Sequence, residues 1–176
     1  MRMIGLAGWS GAGKTTLIVK LIPFLRARGF TVSTVKHAHH AFDIDQPGKD
    51  SYLHREAGAS EVLIASDRRF ALIHELHGAD EPCLAELLRR MSPVDLLLVE
   101  GFKRDAQAKI EVHRAAAGKP WLYPEDPSIV AAATDAIEGV PAHLPHAHLD
   151  DIEAIAGMAL ALARPVEETL SRLAIS

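Results

Sequence analysis

The stretch Gly8-Trp9-Ser10-Gly11-Ala12-Gly13-Lys14-Thr15 constrains this chain more than any other, because it fits the pattern G-x-x-x-x-G-K-[ST] and carries the flanks that pattern needs. An apolar run, Met3-Ile4-Gly5-Leu6-Ala7, precedes it as a strand would, and an amphipathic segment follows it as a helix would. In a strand-loop-helix unit of this kind the glycines let the backbone curl until successive N–H groups point inward, and the helix start adds the positive end of its dipole. The result is a cradle for a di- or triphosphate. Ser10, Gly11, Ala12 and Gly13 form the turn, Lys14 reaches the β- and γ-phosphates, the Thr15 hydroxyl sits on Mg²⁺, and Thr16 is a candidate α-phosphate contact.

Bulk properties narrow what surrounds that cradle. With 176 residues, nearly half of them apolar, the chain can bury a proper core as one domain spanning 1–176, and it is short for two. A formal charge of -4 excludes a broad nucleic-acid or anionic-membrane surface, so phosphate recognition must be local. The lone cysteine, Cys83, has no internal disulfide partner, which fits a reducing compartment. The apolar start is interrupted at once by the phosphate loop, and the run from Ala154 to Ala163 is too short to span a bilayer. A cytoplasmic protein with neither nucleic-acid nor membrane partners is expected.

Periodicity places the remaining segments. Leu17, Ile18, Leu21, Ile22 and Leu25 recur at helical spacing between Lys14 and Gly29, with Pro23 calling for a bend or an early last turn. The β-branched run from Phe30 to Lys36 reads as the second strand, and a β-loop-α-β order implies a right-handed crossover in a parallel sheet. The segment from Lys36 to Ser51 is rich in charge and turn formers, as expected of a functional loop at the C-terminal edge of a sheet. Asp43 and Asp45 are candidates to hold Mg²⁺ through water or to position an attacking water; Lys36 and Lys49 are candidates for phosphate oxygens. Asp50 or Ser51 can cap a helix that Gly58 closes, and Glu61 to Ala65 and Phe70 to His74 suggest a β-hairpin added to the sheet. A helix carrying Leu84, Leu87, Leu88 and Met91 follows Pro82.

A second informative stretch is Val94-Asp95-Leu96-Leu97-Leu98-Val99-Glu100-Gly101-Phe102-Lys103, a strand buried on both faces that delivers a carboxylate to the edge where the phosphate loop opens. Glu100 is the candidate acid for the metal's water shell or for orienting a nucleophilic water, a role in which Asp is more usual. Lys103 and Arg104 are near enough in sequence to reach anionic groups. Lys109 to His113 and Ile129 to Asp135 are further strands. Asp135, at the end of the latter, can accept hydrogen bonds from the N1 and N2 donors of guanine, although the Asn-Lys that usually precedes such an aspartate is missing. Asp150 or Asp151 caps a closing helix, and Pro165 separates a last one. The fold class is therefore α/β, a mostly parallel twisted sheet with helices on both faces.

The phosphate loop with Trp9, the Lys36-His37 pair, Phe42-Asp43-Ile44-Asp45, Pro47-Gly48-Lys49-Asp50-Ser51, Ala57-Gly58-Ala59 and Leu98-Val99-Glu100-Gly101-Phe102-Lys103 together resemble the molybdopterin-guanine dinucleotide biosynthesis protein B family, over residues from the first to about Asp135. The resemblance implies a P-loop NTPase that binds GTP with Mg²⁺, hydrolyses it weakly and forms homodimers. It also implies an adapter in molybdenum cofactor biosynthesis, beside the enzyme that couples GMP to molybdopterin. Trp9 stands where many related P-loop proteins carry an extra signature lysine, so a lysine donated across a dimer is not expected. Two rival readings use other residues: a small-molecule kinase or ligase with Arg68 and Arg69 on a lid, and a metal-delivery GTPase using His37, His39 and His40.

Overall fold

Alternate residues of the apolar runs divide between two cores, one on each face of a sheet. The structure, a computed structural model, describes residues 1–38, 42–102, 105 and 107–173. In chain order its elements are β1 (Arg2–Ala7), α1 (Lys14–Ala27), β2 (Val32–Lys36), α2 (Asp50–Glu56), β3 (Glu61–Ala65), β4 (Phe70–His74), α3 (Leu84–Arg89), β5 (Leu96–Glu100), β6 (Lys109–His113), β7 (Ile129–Thr134), β8 (His146–His148), α4 (Ile152–Leu162), β9 (Arg164–Pro165) and α5 (Val166–Leu173). Packing separates them into two compact units, Met1–His37 with Leu84–Ser176, and Ala38–Cys83.

The larger unit holds a seven-stranded sheet ordered β2-β5-β1-β6-β7-β8, with β9 beside β1. Every pair along that order is parallel; only β9 runs antiparallel, to the start of β1. Strand residues point to opposite faces in turn. Ile4, Leu6, Leu96 and Leu98 therefore meet Leu17, Ile18, Leu21 and Leu25 of α1 and Ile155, Ala156 and Ala159 of α4. Met3, Leu97 and Val99 meet Leu84 and Leu88 of α3 and Val166 of α5 on the other face. This is why the strands read as nearly continuous apolar runs rather than alternating ones.

Several boundaries differ from expectation for identifiable reasons. The second strand begins at Val32 rather than Phe30, because the Thr31 amide and hydroxyl both donate to the Asp95 carboxylate, at 2.7 and 2.6 Å. α1 runs through Pro23 to Ala27 without an early last turn, the proline lying on the exposed side of the helix. Asp151 is the cap of α4, its carboxylate accepting from the Ala154 amide at 2.9 Å. β8 and β9 were not expected: three and two residues are too short to carry a period.

The smaller unit contains α2, β3 and β4. Its antiparallel hairpin pairs Leu63 with Leu72 and Ala65 with Phe70, and it forms a two-stranded sheet of its own rather than an addition to the main one. Asp50 is the first residue of α2 and Lys49 occupies the cap position without a side-chain bond, so neither Asp50 nor Ser51 caps that helix. Val62 is the one buried apolar residue among those described in this unit.

Candidate functional site

Because β1, β5, β6 and β7 are parallel, their C-terminal ends share one edge of the sheet, and each carries a polar group there. β1 ends in the phosphate loop, with Gly13 at the cap of α1 and φ at 100°, a left-handed conformation that favours glycine. The Ala12 side chain is buried while Ser10, Gly11, Thr15 and Thr16 are exposed around the mouth of the loop. Lys14 folds back over it, Nζ donating to the carbonyls of Gly8 at 2.9 Å and Trp9 at 3.1 Å.

β5 places Glu100 in register with Leu6 of β1 and Lys36 of β2. The Thr15 hydroxyl donates to the Glu100 carboxylate, at 3.1 Å to Oε1 and 3.3 Å to Oε2. Lys36 Nζ stands 3.8 Å from Glu100 Oε2. Glu100 is thus held at the foot of the phosphate loop, its side chain only 13% exposed against 58% for Lys36. Gly101 is required next to it: its φ is +94°, and a Cβ there would lie 2.7 Å from the His37 Cβ. Phe102 follows at φ +52°, edge-on to the His37 ring at 5.2 Å.

On the far side of β1, the segment after β6 is tied to the loop through Trp9, whose indole Nε1 donates to the Pro120 carbonyl at 2.8 Å. Lys119 Nζ lies 5.8 Å from the centre of that indole. The same segment rests on Glu111, a fully buried carboxylate that accepts from the amides of Leu122 and Tyr123 at 2.8 and 2.9 Å. Burial pushes the Glu111 carboxyl above its ordinary range, and those two amides oppose the shift. Asp135, beyond β7, accepts from the Ala115 amide at 2.7 Å through one oxygen and faces Arg114 Nη1 at 3.7 Å with the other.

Sequence comparison decides the family. Residues 3–135 match the family model of molybdopterin guanine dinucleotide synthesis protein B. The chain belongs to that family. The molybdopterin-guanine dinucleotide biosynthesis adapter protein of Escherichia coli (strain K12) is 46% identical over 159 residues, which is 88% of this chain and 89% of that protein. The Haemophilus influenzae protein of the same description is 43% identical over 137 residues, 76% of this chain and 74% of its own. A crystal structure of molybdopterin-guanine biosynthesis protein B superposes with a TM-score of 0.71 at 31% identity, covering 91% of this chain and 99% of that one.

In this synthesis protein B family member, Thr15 and Lys36 both approach the Glu100 carboxylate, while Lys14 lies on the loop carbonyls of Gly8 and Trp9. Asp43 and Asp45 have partners the sequence reading did not assign. Arg55 donates from Nη2 to Asp43 at 2.9 Å and to Asp45 at 3.0 Å, from Nε to Asp45 at 3.3 Å, and from Nη1 to Glu75 at 3.4 Å. Asp45, its side chain 1% exposed, is held in this ion pair. Lys49 is exposed at the start of α2, where its carbonyl accepts from the Leu53 amide. No group of three or more His, Cys, Asp or Glu among the described residues could hold a metal. His39, His40, Lys103 and Arg104 lie outside the described residues. Arg68 and Arg69 form the exposed hairpin turn, their amides donating to the Ser66 hydroxyl. Sequence reasoning passed over Arg114 and Arg55. Arg114 was accessible to the argument used for Glu100, since it is the first residue past a buried strand; Arg55 offered no such signal.

Proposed function

We propose that this chain is a GTP-binding adapter in molybdopterin guanine dinucleotide biosynthesis, a cytoplasmic homodimer that engages the enzymes making that dinucleotide and hydrolyses GTP slowly. The observation that carries the reading is the bond from Thr15 to Glu100 beneath the phosphate loop. A hydroxyl at the helix start and a carboxylate from the neighbouring strand are the hard oxygen donors that Mg²⁺ takes together with nucleotide phosphates and water. Lys14, now bonded to loop carbonyls, would turn to the β- and γ-phosphates. Asp135 is the candidate reader of the guanine edge, and its oxygen facing Arg114 at 3.7 Å is the less committed of the two. Slow hydrolysis fits a site at which no glutamine is identified to orient the attacking water.

Support for the adapter role comes from the Escherichia coli and Haemophilus influenzae relatives, both described as biosynthesis adapters. Support for a homodimer comes from the hairpin, where Leu63, Phe70 and Leu72 share one face and are 65%, 75% and 49% exposed. The test is calorimetric titration of the protein with GTP and ATP in the presence of Mg²⁺, followed by capture of the dinucleotide-synthesising enzyme on the immobilised protein. GTP binding that exceeds ATP binding, disappears in Lys14→Ala and accompanies enzyme capture supports the proposal. Equal affinity for the two nucleotides removes the guanine claim, and failure to retain the enzyme removes the adapter claim.

A further inference from the structure

We propose that Arg114 is a phosphate-binding residue of the nucleotide cradle, kept within reach by Asp135 and transferred to the phosphate chain when a nucleotide binds. This rests on the nucleotide-site reading above and adds a second cation, on the side of β1 opposite Glu100.

Arg114 is the first residue after β6, and β6 pairs with the end of β1 from which the phosphate loop departs. Its guanidinium lies along that loop: a Cβ built on Gly13 would stand 3.5 Å from Arg114 Nη2 and 4.0 Å from Nε. Gly13 immediately precedes Lys14 and caps α1, where backbone amides and the helix dipole favour negative charge. A guanidinium beside those amides presents a planar fork that matches two phosphate oxygens at once.

The way Arg114 is held fits a group that changes partner. Its Nη1 is 3.7 Å from Asp135 Oδ2, beyond hydrogen-bond length, and its side chain is 45% exposed. An ion pair that open contributes little. Asp135 itself is fixed, because its other oxygen accepts from the Ala115 amide at 2.7 Å, so the carboxylate stays while the guanidinium is free to swing. Trp9 fastens the following segment to the loop through Pro120, which keeps the base of Arg114 at the cradle. A phosphate chain carries more negative charge than one carboxylate, so the exchange runs toward the nucleotide. Before nucleotide binds, Asp135 is a positioning residue for Arg114, and the transfer of Arg114 to the phosphates leaves that carboxylate oxygen to the guanine edge. Because Arg114 approaches Gly13 rather than Glu100, it acts on the bound phosphates and not on the attacking water.

The experiment compares the native protein with Arg114→Ala and Arg114→Lys by calorimetric titration with GTP, GDP and GMP in the presence of Mg²⁺. Circular dichroism and thermal unfolding without nucleotide check that the fold is intact, which exposure of the side chain leads us to expect. A charged contact to phosphate is worth a loss of about tenfold to a hundredfold. Arg114→Ala should weaken GTP and GDP to that extent and GMP much less, and Arg114→Lys should recover part of the loss. GTP and GDP affinities within about twofold of native, or an equal loss for all three nucleotides, would overturn the proposal, the second outcome meaning contact with the nucleoside. A native protein that binds neither GTP nor GDP would overturn the nucleotide reading beneath it, a result the variants cannot mimic.

Discussion

Thr15 and Glu100 are 85 positions apart in the chain and 3.1 Å apart in space, and each is informative only beside the other. A threonine after a glycine-lysine pair could simply start a helix, and a glutamate after an apolar run could simply end a strand. Their hydrogen bond puts them in one place, which is what the proposed metal site needs. Glu100→Gln keeps the shape but removes the charge that a divalent cation would meet, so Mg²⁺ should lose most of its influence on GTP affinity, which calorimetry with and without the metal would measure. Gly101 follows for a steric reason. Gly101→Ala would force a side chain into a φ of +94° and against His37 at 2.7 Å, a combination expected to cost about 1–3 kcal/mol in urea unfolding. At this scale the sequence was most legible where chemistry and position coincide, as for Lys14 and Glu100. It was least legible where a partner is needed to define the role: nothing adjacent to Asp45 announces that Arg55, ten residues on, takes its carboxylate.

The strands of the main sheet were legible as elements because burial on both faces leaves a nearly unbroken apolar run, and β1, β5 and β7 appear where such runs stand. What escaped were pieces whose existence depends on a neighbour. β8 is three residues recruited by β7, and β2 starts late because Asp95 holds Thr31. That contact makes its own prediction. The Thr31 hydroxyl and amide hold the Asp95 carboxyl below its ordinary 3.8, so its stabilisation is complete above about pH 4 and is lost as pH falls through the lowered native value. Asp95→Asn should therefore flatten the acid side of a urea-midpoint profile measured from pH 2 to 6. Glu111 anchors the segment after β6 by accepting two amides in a fully buried place. Glu111→Gln offers one acceptor for two donors and turns an NH₂ toward the second, which should cost about 1–3 kcal/mol in thermal or urea unfolding.

The chain comprises a large sheet unit with a substantial core and a short unit that, among the described residues, has almost none. A two-stranded hairpin with a seven-residue helix and one buried apolar residue falls below what stands alone in water. Its outward Leu63, Phe70 and Leu72 are therefore the surface on which the proposed homodimer can be tested, and Leu72→Glu should shift the protein toward monomer in sedimentation velocity while leaving GTP affinity unchanged. No helix of the described residues is long and apolar enough to cross a membrane. In the proposed function, the phosphate loop and Glu100 form one metal-assisted nucleotide site. The most direct measurement is calorimetric titration of GTP into the native protein and Thr15→Ala, each with Mg²⁺ and with chelator. The account predicts tight binding that weakens on chelation for the native protein and weaker, metal-insensitive binding for the variant. Identical isotherms for the two proteins with Mg²⁺ present would contradict it.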